Sequence, residues 1–124
     1  EDELQRELER VQFFGWRACG GIAGVVGIEE VHDVTLIRHA YVRTANRRMG
    51  IGSALLRYVE LQAQRPTILL GTWAAADWAI RFYEQHGYEL IEDRDETVRL
   101  LSTYWDIPAR QIEASVVMRK LATR

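Results

Sequence analysis

Two glycines two residues apart, behind a pair of arginines, form the segment Arg47-Arg48-Met49-Gly50-Ile51-Gly52. Glycines let a backbone turn tightly and come close to a ligand. The first-turn N–H groups of a following helix point outward, and the helix dipole adds about half a positive charge there. Residues of this kind between a strand and a helix form an anion cradle of the sort that takes phosphate. Arg47 and Arg48 could add side-chain contacts. The plainer alternative is a helix start whose glycines serve packing alone. A nucleotide P-loop is excluded, because no Lys-Ser/Thr follows the second glycine. The three-glycine dinucleotide fingerprint fails as well, since Leu55 stands where its third glycine belongs.

The cradle needs a strand before it and a helix after it, and the patterning predicts both. Val34 to Val42 reads as a strand and Arg43-Thr44-Ala45-Asn46 as a polar connection. From Gly52 a helix is expected, with Ala54, Leu55, Tyr58, Val59 and Leu61 on one apolar stripe and Pro66 as its stop. Upstream, Leu4, Leu8 and Val11 keep helical spacing over Leu4 to Val11. Gln12 to Cys19 and Ile22 to Ile28 predict two strands joined at Gly20-Gly21. Downstream, Thr67 to Thr72 predicts a short buried strand, and Ala75 to His86 a helix closed by Gly87. Tyr88 to Ile91 predicts a strand, Thr97 to Tyr104 a helix, and Ser115 to Leu121 a last strand beyond Pro108. The order α-β-β-β-α-β-α-β-(α)-β implies one α/β domain over residues 1–124, with a mixed sheet flanked by helices.

Composition narrows the function class. With 48% apolar and 27% charged residues and a net charge of -2, a soluble globular protein is expected. No basic stripe with interleaved aromatics argues for nucleic acid. Cys19 is the lone cysteine, which excludes an intramolecular disulfide and a cysteine-rich metal site. No apolar run reaches about 18 residues, so no transmembrane helix is expected. The opening Glu1-Asp2-Glu3 lacks the marks of a signal peptide, and the cytoplasm is the expected compartment.

Two blocks carry a resemblance. Leu36 to Leu56, with Tyr41-Val42 ahead of Arg47-Arg48-Met49-Gly50-Ile51-Gly52, resembles the acetyl-CoA motif of the GNAT superfamily of N-acetyltransferases. Trp78 to Tyr88, containing Phe82-Tyr83-Glu84-Gln85-His86-Gly87-Tyr88, resembles that family's second motif helix. Val116 to Leu121 is similar to its usual last strand, and the likeness runs from about residue 12 to 121. The resemblance implies acetyl transfer from acetyl-CoA to a primary amine, by direct attack and without a metal. It implies that Ala40, Tyr41 and Val42 offer backbone groups to the pantetheine arm. The pyrophosphate would lie on backbone N–H groups between Arg48 and Ser53, so that Arg47, Arg48, Met49, Gly50, Ile51, Gly52 and Ser53 form the cofactor loop. Tyr83 matches the family tyrosine that protonates the departing thiolate. On helix spacing alone, Tyr83 reads as a core aromatic with Phe82 and Tyr88; the surrounding motif turns the reading toward the acid.

This sequence departs from the family pattern in three places. Leu36 and Arg38 hold the strand positions where many members carry a base; they share one face, with His39 and Tyr41 expected on the other. Glu29, Glu30 or His32 acting through water, or an amine arriving neutral, are the substitutes. Ala76 stands where an asparagine is frequent, followed by Asp77 as a first-turn acid. The family's first strand and helix are not found here, so the domain is expected to be N-terminally incomplete, with an exposed edge that favours a homodimer. The long segment between the last two strands carries Tyr104 and Trp105, which either wall a pocket or pack an inserted helix. A non-catalytic acyl-CoA-binding or sensing domain is the competing function. The acceptor, a small molecule or a peptide amine, is not legible.

Overall fold

The computed structural model describes residues 10–18, 21–42 and 50–122. The expected helix over Leu4 to Val11 lies outside them except for its last two residues, and so do Cys19-Gly20, the connection from Arg43 to Asn46, and Arg47, Arg48 and Met49. The elements are β1 (Gln12–Ala18), β2 (Gly21–Val31), β3 (Val34–Val42), α1 (Ile51–Gln62), β4 (Thr67–Trp73), α2 (Asp77–Gln85), β5 (Glu89–Leu90), α3 (Arg94–Tyr104), α4 (Ala109–Glu113) and β6 (Ser115–Leu121). The strands make one six-stranded mixed sheet in the order β1-β2-β3-β4-β6-β5. That sheet with its helices is the α/β fold expected. The chain divides into two compact units: residues up to Ile68 with Ala122, and Leu69–Leu121.

In the first unit β1, β2 and β3 form an antiparallel meander. One face carries Phe14, Val26, Ile28 and Ile37, and α1 packs on it through Ile51, Leu55, Leu56 and Val59. Burying each such side chain contributes roughly 1.5–3 kcal/mol. Gly24 permits the close approach: a Cβ there would lie 3.0 Å from Leu55 Cδ1 and 3.2 Å from Ile51 Cγ2. The expected stripe on α1 is corrected at two positions. Tyr58 is half exposed, its ring edge-on to Phe14, and Leu61 is 78% exposed. Leu61 falls away because the stripe Ile51-Leu55-Val59 follows the 3.6-residue turn, and position 61 rotates off it. At the far end of α1 the carboxylate of Glu30 accepts from the Thr35 hydroxyl and from Gln64 N–H at 3.1 Å. Arg65 Nε donates to the His32 carbonyl at 2.9 Å. These bonds tie the β2–β3 turn to the end of the helix.

In the second unit α3 begins at Arg94, three residues before the expected start at Thr97. Asp93 caps it, accepting from Asp95 N–H at 3.0 Å and Glu96 N–H at 3.4 Å. Arg94 crosses to the carbonyls of Ser115 and Ile112 at 2.9 and 2.6 Å. The segment after Pro108, expected as a break, contains the short helix α4. Trp105 lies over Gly71 of β4, 3.5 Å from the place a Cβ would take. This contact accords with the expected packing of the inserted segment onto the sheet.

Candidate functional site

α1 starts without the usual closure. Its N-cap is Gly50 at φ 78, a left-handed conformation that a side chain adopts only under strain. Among the described residues no side chain caps this end, and no acid stands in the first turn. Among the described residues, a Cβ at Gly50 would meet nothing within 4 Å. Its carbonyl accepts from Ala54 N–H at 3.0 Å and opens the helical ladder. The Ile51 side chain is buried in the core, so this residue can offer a ligand only its backbone, while Gly52 and Ser53 are half-buried beside it. A helix end with a left-handed glycine at its start and no acid in its first turn fits a phosphate.

β3, which leads toward this end, carries a bulge. Val25 pairs with Tyr41, but Gly27 pairs with Arg38, so His39 and Ala40 together face Val26. His39 takes φ 57, the left-handed conformation that G1 bulges place at their first residue. The extra residue resets the alternation. Arg38 shares a face with Gly27 and Phe13, and the His39 ring lies on that face, 5.7 Å from Phe13. Tyr41, opposite Val25, returns to the same face and is 54% exposed. The expectation that His39 and Tyr41 turn away from Arg38 is therefore corrected, because strict alternation holds only for an unbulged strand. Ala40 is exposed and Val42 half-buried.

Leu36 is fully buried beside its partner Glu29. Glu29 is itself buried, and its oxygens meet Arg38 at 2.9 Å and Arg10 at 3.6 Å. With both oxygens engaged by guanidinium groups, Glu29 anchors this face. Of the other two substitutes for a base, Glu30 is engaged with Thr35 and Gln64, and His32 occupies the β2–β3 turn at φ 51.

In the second unit Tyr83 sits on the last turn of α2. That end closes in a Schellman motif: Tyr88 N–H donates to the Tyr83 carbonyl at 3.0 Å and Gly87 N–H to the Glu84 carbonyl at 3.1 Å. Gly87 supplies the required positive φ of 90, as the sequence suggested for this glycine. The Tyr83 ring meets Phe82 and Tyr88 edge-on at 5.3 and 5.7 Å. Burial pushes the phenol above its ordinary value of 10.0. Asp77 lies in the first turn of α2, as expected, and Ala76 is its N-cap. Among the described residues no three His, Cys, Asp or Glu side chains cluster as a metal site.

The model of the acetyltransferase (GNAT) domain family matches residues 9–90. The chain belongs to the GNAT acetyltransferase family. The matched span holds both Gly50 and Tyr83 and ends at Leu90, so α3, α4 and β6 lie beyond it. Among curated relatives, this GNAT chain is 30% identical over 92 residues to the peptidyl-lysine N-acetyltransferase YiaC of Escherichia coli strain K12. That match covers 73% of the chain and 60% of YiaC, less than two thirds of its length. Two solved structures share the GNAT fold. The ribosomal-protein-S18-alanine N-acetyltransferase of Escherichia coli superposes with a TM-score of 0.71 at 21% identity, covering 99% of this chain and 76% of that one. A GNAT family acetyltransferase of Elizabethkingia anophelis, with acetyl-CoA bound, gives 0.73 at 18% identity over 98% of this chain and 82% of that one.

Proposed function

We propose that this chain is an N-acetyltransferase that passes the acetyl group of acetyl-CoA to a primary amine. The observation that carries the reading is the left-handed, acid-free start of α1 at Gly50 in a chain of this family. The backbone from Arg48 to Ser53 would hold the pyrophosphate, with Arg47 beside it, and Ala40, Tyr41 and Val42 would pair with the pantetheine arm. Acetyl-CoA supplies a thioester whose carbonyl carbon the amine attacks and whose sulfur leaves. Tyr83 would then give its proton to that sulfur. The phenol, which burial holds above its ordinary value, is protonated at neutral pH and has a proton to give. Arg10 and Arg38 against one Glu29 leave one net positive charge on the β3 face. Such a charge favours the neutral form of a nearby amine, consistent with an acceptor that arrives unprotonated. The named relatives act on a peptidyl lysine and on a ribosomal-protein alanine. A peptide amine is accordingly the acceptor class to try first.

The engagement of Glu29 also favours a second reading, an acyl-CoA-binding domain without catalysis. Titration calorimetry with acetyl-CoA, with ADP as control, combined with a turnover assay on lysine and N-terminal peptides, separates the two. Binding of acetyl-CoA with turnover supports the enzyme. Binding with no turnover on any amine supports the sensor, and equal affinity for ADP would remove both.

A further inference from the structure

The chain contains a single lysine, Lys120 in β6. It stands one residue past the Arg119–Glu89 pair of the β5–β6 ladder, which sets it across from Tyr88. Its ammonium donates to the His86 carbonyl at 2.7 Å. It also lies over the Tyr88 ring, 5.4 Å from the centroid. Its stem covers the Gly87 turn, with Cε 3.4 Å from the position of an added Cβ. All three contacts fall on the residues that close α2 at the Tyr83 end. The last turn of α2 has no basic residue of its own, so the negative end of its dipole meets this cation from a neighbouring strand.

We propose that Lys120 is a positioning residue for Tyr83. The geometry gives two routes, both through Tyr88. The Tyr88 N–H holds the Tyr83 carbonyl, and the Tyr88 ring meets the Tyr83 ring edge-on. Tyr88 is itself buried, so it transmits displacement instead of absorbing it. By bonding the His86 carbonyl and covering Tyr88, Lys120 fixes the end of the helix from which the Tyr83 phenol projects. The inference rests on the reading of Tyr83 as the acid that serves the leaving sulfur.

The test compares wild type with Lys120→Met, Lys120→Arg, Tyr83→Phe and the Lys120→Met/Tyr83→Phe double variant. CoA release from acetyl-CoA is followed with hydroxylamine, an amine neutral at pH 7, as acceptor. Lys120→Met should lower kcat about tenfold, as a displaced catalytic group does, and leave KM for acetyl-CoA within about twofold. Lys120→Arg should restore most of the loss, because a guanidinium can both donate to a carbonyl and cover a ring. In the double variant the Lys120 change should add nothing to the Tyr83 change. Hydrogen exchange at the Tyr88 amide should quicken in Lys120→Met, a readout independent of turnover. Additive losses in the double variant, or wild-type exchange at Tyr88, would overturn the role of Lys120 while leaving that of Tyr83 intact. Wild-type kcat in Tyr83→Phe would instead remove the acid itself, and the positioning role with it.

Discussion

α1 and α3 begin in opposite ways. α3 is closed three times over: the Asp93 side chain takes two first-turn N–H groups, and Asp95 and Glu96 add negative charge to the same turn. α1 has a glycine where α3 has Asp93, and Ile51, Gly52 and Ser53 where α3 has Arg94, Asp95 and Glu96. A closed start like that of α3 contributes about 1 kcal/mol from the cap and a few tenths more from each acid. α1 forgoes this and recovers its stability from Ile51, Leu55, Leu56 and Val59 against the sheet. A helix held by its buried side can do without acids at its start, whereas α3, exposed along much of its length, is secured there.

Four substitutions bear on this contrast. Gly52→Trp should abolish acetyl-CoA binding, a loss of at least about a hundredfold or ~3 kcal/mol; calorimetry showing unchanged affinity would end the assignment of the loop. Tyr83→Phe should lower kcat by about a hundredfold and spare acetyl-CoA affinity. In wild type the alkaline fall of kcat should lie above pH 10.0, because burial raises the phenol pKa, and Tyr83→Phe should lack that fall. The same shift carries a sign for stability. The fold favours the protonated phenol, so its contribution is full below 10.0 and declines as pH rises beyond it. Ser53→Glu gives α1 the acid that α3 carries at the matching position, Glu96. It should weaken acetyl-CoA binding about tenfold while raising thermal stability by about 0.5 kcal/mol. A variant that gained stability and kept its affinity would show that no anion uses this end. The smallest effect belongs to Asp93→Ala, which should cost about 1 kcal/mol in denaturant melts and leave acetyl-CoA affinity alone.

The contrast was half legible in the sequence. Glycines at 50 and 52 announced an open helix start, and the Gly87 cap and the limits of β3 and β6 followed from local pattern. The start of α3 was missed although Asp93 and Glu96 have capping-box spacing, because the charged run from Glu92 to Glu96 resembles a solvated connection. Five-residue α4 is too short to show a period. The engagement of Glu29 by Arg10 and Arg38 was also illegible, since it joins three segments that only pairing brings together. Nor did helical spacing indicate that Lys120 closes α2. Its partners, His86 and Tyr88, are more than thirty positions away.

The bulge at His39-Ala40 has a consequence for length. β3 is in effect two rulers joined out of phase, one running to Arg38 and one resuming at Tyr41. Composition within the joint matters less than the number of residues in it. Removing Ala40 would make the strand regular from Arg38 to Val42, keep Tyr41 opposite Val25 and Val42 opposite Gly24, and move only the His39 side chain to the face of Val26 and α1. One codon lost there would be absorbed at the joint and leave the faces of the strand's end as they are, whereas one lost from the regular run between Val34 and Arg38 would set the residues on one side of the gap on the wrong face.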